Sequence, residues 1–276
     1  MILSEIKAEK ILSKTQISLA DYVINNYAGC QYSCLYCYAR YSKRNLKHKR
    51  DWGSFVDVKI NAPELLEKEL EKIQPKKVLL GSITEVYQPV EKQYSITRKL
   101  LEILAAHKIE IVILTRSDMI LRDLDILEKF PKVSVFFTVS DRDGAISNLF
   151  ENGSPSYAKR LFAVNKLIEK KINVWAHIGP VIPYFTESVS IVGDLIKTGV
   201  KKIELENLNK NSAPLEKIIE RLKDVDAEKS DKLKILYSNS ETHNEYWKEE
   251  KSKLLNLLQD KNIKSHFSFS ELNEYF

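Results

Sequence analysis

Three cysteines, the only ones in the 276-residue chain, lie within eight positions at Cys30, Cys34 and Cys37. Their spacing is Cys-x3-Cys-x2-Cys. Cysteine thiolates are the usual ligands of iron–sulfur clusters, and a cubane cluster takes four ligands. Three protein thiolates would leave one iron without a protein ligand, and an open metal position is where a substrate or cofactor can bind. The spacing therefore predicts an open iron–sulfur cluster with these three cysteines as its metal ligands.

Zinc is the alternative metal for this loop. A structural zinc site takes four ligands in a closed tetrahedral arrangement, and its cysteines commonly come as separated pairs. The chain has no second cysteine pair, and the only nearby further ligand is His48, eleven residues after Cys37. This alternative describes a non-catalytic binding module. Iron and sulfide, as against one zinc, would separate the two interpretations.

The composition is that of an ordinary globular protein, with 43% hydrophobic and 29% charged residues. No apolar run approaches the roughly 20 residues that a membrane helix needs. The first residues are broken by charge and lack the apolar core of a signal peptide. Three clustered cysteines do not form a disulfide framework. We therefore expect a cytoplasmic protein with no membrane partner.

The net charge of +5 permits an anionic partner without requiring one. One dense basic run, 43–50, follows the cysteines closely. A run of this kind is either a solvated loop or a patch that contacts phosphates beside an active site. The second alternative predicts a nucleic-acid substrate that binds through Lys43–Arg50.

Strand-like and helix-like patterns alternate along most of the chain, which implies a parallel sheet wrapped by helices. The predicted strands of the core are 22–25, 77–80, 110–114, 133–139, 172–178 and 203–206. Helices are predicted from Asn61 as the N-cap and at about 94–107, 121–130, 157–170 and 187–198. Six units are too few for an eightfold barrel, so a doubly wound sheet and a partial barrel both remain open.

The pattern changes after about residue 210. A last strand is predicted at 233–237 and a last helix at 243–260. No internal repeat or domain linker is evident. We therefore predict one domain over 1–276, with a barrel-like α/β core at about 20–210 and a C-terminal α/β extension at about 211–276 that closes its open side.

The segment Cys30-x3-Cys34-x-Tyr36-Cys37 resembles the signature of the radical S-adenosylmethionine (SAM) superfamily. That resemblance implies a partial (β/α)6 barrel, in agreement with the six units above. It also implies a [4Fe-4S] cluster whose open iron holds the amino and carboxylate groups of SAM. Reductive cleavage of SAM then gives a 5′-deoxyadenosyl radical that removes a hydrogen atom from substrate. An external electron donor such as flavodoxin or ferredoxin is implied as a partner.

Further segments resemble the branch related to spore photoproduct lyase, often described as DNA repair photolyase-like. They are 26–30, 37–40, 59–66, 81–89, 114–117, 121–125 and 179–183. The resemblance runs from about residue 22 to 200. It implies a lyase-type or oxidoreductase-type radical enzyme and leaves the substrate open.

The resemblance also implies SAM-binding roles for residues at the ends of the core strands. The aromatic Tyr36 would pack by the adenine, Glu85 suits the cationic ammonium, and Arg116 offers a fork of donors to the carboxylate. The full predicted set is Tyr36, Gly81, Ser82, Thr84, Glu85, Thr115, Arg116, Ser117, Thr138, Ser140 and His177. Turn or cap chemistry is the alternative for the serines and threonines, and a satisfied core residue is the alternative for His177.

The lyase relays hydrogen atoms through tyrosines and a separate donor cysteine. Tyr36 and Tyr38 match the tyrosines, but the stretch that corresponds to the donor cysteine, 80–82, holds none. A different donor, Tyr87 or Tyr184, or a different reaction is then required. We predict Tyr38 and Tyr87 as catalytic residues.

Three hypotheses follow from the sequence. The first is radical SAM chemistry on a nucleic acid, and the second is the same chemistry on a small metabolite or a peptide. The third is the zinc-binding module. The chain has no cysteine-rich extension for auxiliary clusters, which disfavours the peptide-maturing subclass that needs one.

Overall fold

The computed structural model describes residues 1–42, 45, 48–209, 214–259 and 261–269. Within these ranges, no helix is long and apolar enough to cross a membrane. Lys43, Arg44, Leu46 and Lys47 of the basic run lie outside the described residues.

The strands are β1 (Ile2–Ile6), β2 (Leu12–Lys14), β3 (Tyr22–Ile24), β4 (Tyr27–Gly29), β5 (Phe55–Lys59), β6 (Lys77–Leu80), β7 (Glu110–Thr115), β8 (Val133–Thr138), β9 (Asn173–Val181), β10 (Lys202–Asn207) and β11 (Lys264–Ser268). Eight of them form the main sheet in the order β11-β10-β9-β8-β7-β6-β3-β2. Its strands are parallel except β2, which pairs antiparallel with β3 at one edge. A smaller sheet has the order β1-β5-β4.

The helices are α1 (Ala62–Leu70), α2 (Glu91–Tyr94), α3 (Ile96–Ala106), α4 (Leu124–Leu127), α5 (Ala145–Phe150), α6 (Tyr157–Glu169), α7 (Ser188–Lys197), α8 (Leu215–Leu222), α9 (Ala227–Ser238) and α10 (Ser240–Leu258). Two 3-10 helices cover Tyr38–Tyr41 and Asp118–Asp123. In α3, Ile96, Leu100 and Leu104 recur every fourth residue and are buried, so one face of the helix packs on the sheet.

The main sheet has one fully buried face and one partly open, concave face. Along β8, Val135 and Phe137 are buried, whereas Ser134, Phe136 and Thr138 are only half-buried. Successive side chains of a strand point to opposite sides, so the second set lies on the concave face. This alternation lets one sheet carry both a core and a polar cavity wall.

The α/β class and the partial barrel are confirmed, and each of the six predicted core strands is present in the parallel sheet. The helix predicted near 121–130 is instead a 3-10 helix followed by the short α4. Asn61 precedes α1 but does not cap it, because its amide accepts from Ala8 N and donates to Ala8 O at 2.8 and 2.9 Å.

The strand predicted at 233–237 is wrong, because these residues belong to α9. The Asp226 side chain caps that helix by accepting from Lys229 N at 2.9 Å. Leu233 and Leu236 are buried three residues apart, which is helical spacing that a short apolar run conceals. The last strand is β11, which the sequence analysis missed.

The C-terminal segment packs on the barrel in two places. Trp247 of α10 is 1% exposed and belongs to the main apolar cluster, which also contains Leu205 of β10 and Ile191 of α7. Residues of α8 and α9, including Ile218 and Leu233, join the apolar cluster that contains Tyr32 and Cys34 of the cysteine loop. The helices after residue 214 therefore support the cysteine loop from outside the barrel core.

Candidate functional site

The cysteine loop begins at the end of β4. Gly29 has φ +80°, and a Cβ at this position would run into the carbonyl oxygen of Phe55, so the turn into Cys30 requires glycine. Cys30 and Cys34 are buried, Cys37 is half-buried, and none of the three forms a disulfide.

The thiols are held in an environment that disfavours free thiolates. Burial raises the pKa of Cys30 and Cys34 to about 12 and that of Cys37 to about 11, and each thiol raises the pKa of another. A metal that takes the place of the protons relieves this cost, since metals bind the thiolate form. Three thiols close enough to raise one another's pKa are therefore suited to ligating a cationic group.

The kind of donor fits a polynuclear cluster, since all three are free cysteine thiols on one loop. A tetrahedral zinc with bonds of about 2.3 Å holds its sulfurs about 3.8 Å apart, whereas a [4Fe-4S] cluster takes each thiolate on a separate iron. His48 pairs with Asp57 at 3.1 Å and stacks on Phe55, so it is engaged away from the cysteines.

The loop after β6 joins the cysteine loop to the end of β7. The Thr84 hydroxyl donates to Gly29 O at 2.6 Å. The buried Glu85 carboxylate accepts from the Thr115 hydroxyl at 2.7 Å, from Arg116 N at 3.0 Å and from Tyr87 N at 2.9 Å. Burial raises the pKa of Glu85 despite these bonds. A cationic ammonium would stabilise its charged form.

Gly81 makes the turn out of β6 possible. It has φ +89°, and a Cβ there would lie 2.9 Å from Leu114 O. The backbone of this loop therefore runs directly against the end of β7. Ser82 is fixed by Asn25, whose side-chain amide donates to the Ser82 hydroxyl at 3.0 Å and accepts from Ile83 N at 3.0 Å.

Tyr36 lies in a buried ionic group rather than in a purely apolar pocket. Its hydroxyl contacts the Glu151 carboxylate and accepts from the Arg116 guanidinium at 2.9 Å. Arg116 in turn pairs with Glu151 at 2.7 Å, and Arg160 pairs with the other oxygen of Glu151. Glu151 and Arg160 were missed by the sequence analysis, because no motif or strand end marks either residue.

The remaining predicted residues of the third and fourth core strands lie near the same edge. The Tyr32 hydroxyl of the cysteine loop donates to the Ser117 hydroxyl at 3.3 Å. Ser140 is buried just after β8, and Thr138 is half-buried at the end of that strand. The roles predicted for these hydroxyls in SAM binding stay predictions.

The two tyrosines predicted as catalytic occupy different places. Tyr38 is 52% exposed and its hydroxyl donates to Ser82 O, so it lies beside the loop predicted to bind SAM. Tyr87 is enclosed in the core, where burial and then Asp123 raise its pKa well above the usual value. An enclosed ring has no access to a substrate, so this placement does not fit Tyr87 as a hydrogen-atom donor.

His177 belongs to a row of side chains across the concave face. Thr138, His177, Glu204 and His266 are register neighbours on β8, β9, β10 and β11. His177 Nδ1 lies 3.2 Å from Glu204 and Nε2 lies 3.4 Å from Glu206. His266 contacts the other oxygen of Glu204 at 3.1 Å. The polar side-chain contacts of His177 are thus with carboxylates, and of the other residues predicted to bind SAM, Thr138 is its register neighbour.

The carboxylates control the charge of this imidazole. Burial alone would lower the pKa of His177, but hydrogen bonds to Glu204 and Glu206 outweigh it and raise the pKa to about 9. A Cβ on Gly179 would overlap the imidazole, so the ring occupies space that glycine leaves open.

An aromatic layer lies one step below this row. Phe136 and Trp175 are register neighbours with stacked rings 5.5 Å apart. The ammonium groups of Lys202 and Lys264 lie 5.5 and 5.6 Å from the Trp175 ring. The alternation of Trp175 with His177 was a sequence signal for a shared face, but the partners on β10 and β11 depend on register.

Comparison with known proteins agrees with these features. The model of the Radical SAM superfamily matches residues 24–190. An uncharacterized protein of Methanocaldococcus jannaschii is 38% identical over 190 residues, covering 69% of this chain and 71% of that protein. An uncharacterized protein of Mycobacterium bovis is 29% identical over 174 residues, covering 60% of this chain and 51% of that protein. The chain therefore spans about half the length of the mycobacterial relative.

Two solved structures share the fold at low sequence identity. Spore photoproduct lyase with bound AdoMet and dinucleoside spore photoproduct matches with a TM-score of 0.60 and 17% identity, over 79% of this chain and 66% of that chain. Streptococcus suis SuiB bound to S-adenosylmethionine matches with a TM-score of 0.55 and 13% identity, over 90% of this chain and 49% of that chain. The chain belongs to the radical SAM superfamily, is similar in fold to spore photoproduct lyase, and uses the cofactors of that superfamily, a [4Fe-4S] cluster and SAM.

Proposed function

We propose that this chain is an enzyme that removes a hydrogen atom from an organic substrate by radical SAM chemistry. One observation carries the proposal: the three thiols, the Gly81–Glu85 loop and the end of β7 meet at the same edge of the sheet, linked by Thr84 and Glu85. The carboxyl ends of parallel strands are where α/β folds bind their ligands.

The residues divide into those that hold the cluster and those that hold SAM. Cys30, Cys34 and Cys37 ligate three irons, and Glu85 receives the ammonium of SAM. Arg116 has donors beyond those used by Tyr36 and Glu151, and these can meet a carboxylate. When bound, cluster and SAM supply one-electron cleavage of the sulfonium C–S bond and a 5′-deoxyadenosyl radical that takes a hydrogen atom.

The substrate in this proposal lies on the concave face, below the cysteine loop. Tyr38 lies between the two regions in this proposal, because it directly follows Cys37 in the chain and its hydroxyl donates to Ser82 O. Tyr38 is therefore the residue we assign to hydrogen-atom relay. The electron comes from an external donor such as flavodoxin or ferredoxin, in the cytoplasm.

A nucleic acid is the first candidate substrate. The Phe136–Trp175 pair is a platform on which a base can stack, and Lys202 and Lys264 beside it can approach a phosphate. Similar structures of spore photoproduct lyase hold a dinucleoside spore photoproduct. Since the chain has no cysteine besides the three ligands, any return of hydrogen would have to use a different donor, such as Tyr38.

A peptide or other small molecule is the second candidate. The Glu204 and Glu206 carboxylates on the concave face favour a ligand with N–H donors over a polyanion. SuiB, which covers 90% of this chain, has been solved bound to its precursor peptide SuiA.

The class of chemistry is tested by anaerobic reconstitution with iron and sulfide, followed by reduction in the presence of SAM. We expect 5′-deoxyadenosine from the wild-type protein and none from Cys34→Ser. One tightly bound zinc and no product would refute the proposal. Deuterated oligonucleotides and peptides then identify the substrate by transfer of label into 5′-deoxyadenosine.

The nucleic-acid candidate has its own test. Binding of a single-stranded oligonucleotide to the reconstituted protein should weaken at least about tenfold in Trp175→Ala and fall steeply with salt. Phe162→Ala, which removes an exposed ring from α6, should bind normally. Affinity that is indifferent to both Trp175 and salt would favour the second candidate.

A further inference from the structure

Glu151 is a buried carboxylate that the roles assigned above leave unused. Its side chain is 1% exposed and lies between two guanidinium groups, those of Arg116 and Arg160. The Ser154 hydroxyl also donates to it at 2.7 Å. Charged side chains are almost never fully buried unless they are paired, and both guanidinium groups serve here as partners of Glu151.

The segment around Glu151 also braces the cysteine loop through the backbone. Leu35 N donates to Phe150 O at 3.0 Å, and Asn152 N donates to Tyr32 O at 2.8 Å. The Phe150 ring meets Tyr36 edge to face at 6.3 Å. The last residue of α5 and the residues just after it therefore fix both the path of the cysteine loop and the ring of Tyr36.

Arg160 anchors this arrangement from the side away from the cysteines. It is 2% exposed, and its guanidinium donates to Pro155 O and to the Ser154 hydroxyl, each at 2.8 Å. Burial opposes ionisation of Glu151, but the charges of Arg116 and Arg160 outweigh it and hold the pKa of Glu151 far below its usual range. The group therefore carries two positive charges and one negative charge.

These charges act on the cysteine loop. Glu151 and Arg116 both contact the hydroxyl of Tyr36, which lies between Cys34 and Cys37 in the chain. The residue pairs are enclosed, so salt and water screen them weakly. A group ligated by Cys34 is therefore exposed to the combined charge of Glu151, Arg116 and Arg160.

We propose that Glu151 is a positioning residue that holds Tyr36 and Arg116 against the cysteine loop and, with Arg160, sets the local charge under which the cluster is reduced. The inference rests on the proposed function only in that a cluster is bound. Net charge is one of the quantities that set the potential of an iron–sulfur cluster. Removing the negative charge favours the reduced cluster, and removing a positive charge disfavours it.

The test compares the midpoint potential of the reconstituted cluster, without SAM turnover, in Glu151→Gln, Arg160→Gln and the double variant. Glu151→Gln should make the cluster about tenfold easier to reduce, a shift of about +59 mV for one electron. Arg160→Gln should shift the potential in the opposite direction. The double variant loses one charge of each sign and should have a potential between those of the two single variants.

The free energy of unfolding and the iron content are measured for each variant together with its midpoint potential. Glu169→Gln, which removes an exposed carboxylate from α6, is the matched control and should have the wild-type potential. If Glu151→Gln alone does not fold, Arg160→Gln and the double variant still decide the matter. Shifts of the same sign in Glu151→Gln and Arg160→Gln, or a double variant whose potential lies outside the range set by the two single variants, would overturn the inference. Failure of every variant and the wild type to bind iron would refute the proposed function instead.

Discussion

The carboxylate pair around His177 makes the stability of the protein depend on pH. His177 is 19% exposed and faces Glu204 and Glu206 on β10. Thr138 is its register neighbour on β8, and His266 is the register neighbour of Glu204 on β11. Its pKa rises from 6.5 to about 9 on folding. Each pKa unit corresponds to about 1.4 kcal/mol, so the imidazolium stabilises the fold by about 3 kcal/mol at low pH. The lowered pKa of Glu204 reflects the same contacts and adds nothing further.

The raised pKa of His177 determines how the free energy of unfolding changes with pH. Below pH 6.5 the imidazole is charged in both states, and the full stabilisation is present. Between pH 6.5 and 9 the unfolded chain loses the proton while the folded protein keeps it, so stability falls. By about pH 10 the contribution is almost gone.

The assay is urea unfolding of the reduced, metal-free protein at several pH values between about 6 and 10. Thiols and tyrosines also titrate at the upper end, so the measured quantity is the difference between wild type and His177→Gln. That difference should shrink by about 3 kcal/mol from pH 6 to pH 10. His107→Gln, which alters an exposed imidazole, controls for loss of any histidine. If the difference in unfolding free energy between wild type and His177→Gln stays constant across this pH range, Glu204 and Glu206 do not stabilise the charged imidazole.

Three further outcomes are expected. Gly81→Ala should lower the free energy of unfolding by about 1–3 kcal/mol, because the new Cβ is strained at positive φ and lies against Leu114 O. Gly153→Ala, which has open space around it, should lower the free energy of unfolding by less. Equal decreases in the two variants would contradict this reasoning. Trp247→Ala should cost about 3–5 kcal/mol by urea unfolding, whereas a loss below about 1 kcal/mol would show that α10 does not close the barrel. Cys34→Ser should leave less than half of the wild-type iron after reconstitution, and full iron content would contradict its role as a ligand.

The fold was largely predictable because its signals are local. Short apolar strands separated by helical periods define the parallel core, and the strand ends lie within three residues of the predicted positions. The C-terminal segment was harder. In 233–237 the apolar residues are too few to distinguish a strand from a helix, and β11 is a mostly polar strand at the sheet edge whose pairing with β10 is not visible in its own sequence.

The site residues likewise fall into those that local sequence signals reveal and those that only tertiary contacts reveal. The cysteine spacing and the loop after β6 are contiguous motifs, so their residues could be named from the sequence. Glu151 reaches Tyr36 across 115 positions, and His177 meets its carboxylates through strand register. Contacts of this kind arise only from tertiary packing, which explains why Tyr87 was assigned to the site and Arg160 was not.

The main sheet never closes on itself, since β2 and β11 are not paired with each other in the part of the chain described by the structure. A closed eight-stranded barrel has an interior just wide enough for its own side chains. Here the six strands from β6 to β11 extend about 24 Å measured along the curved sheet, at a spacing of about 4.8 Å between neighbouring strands. Because the sheet stays open, its concave face is not enclosed by a complete ring of strands, and the end of the cysteine loop can be approached along that face.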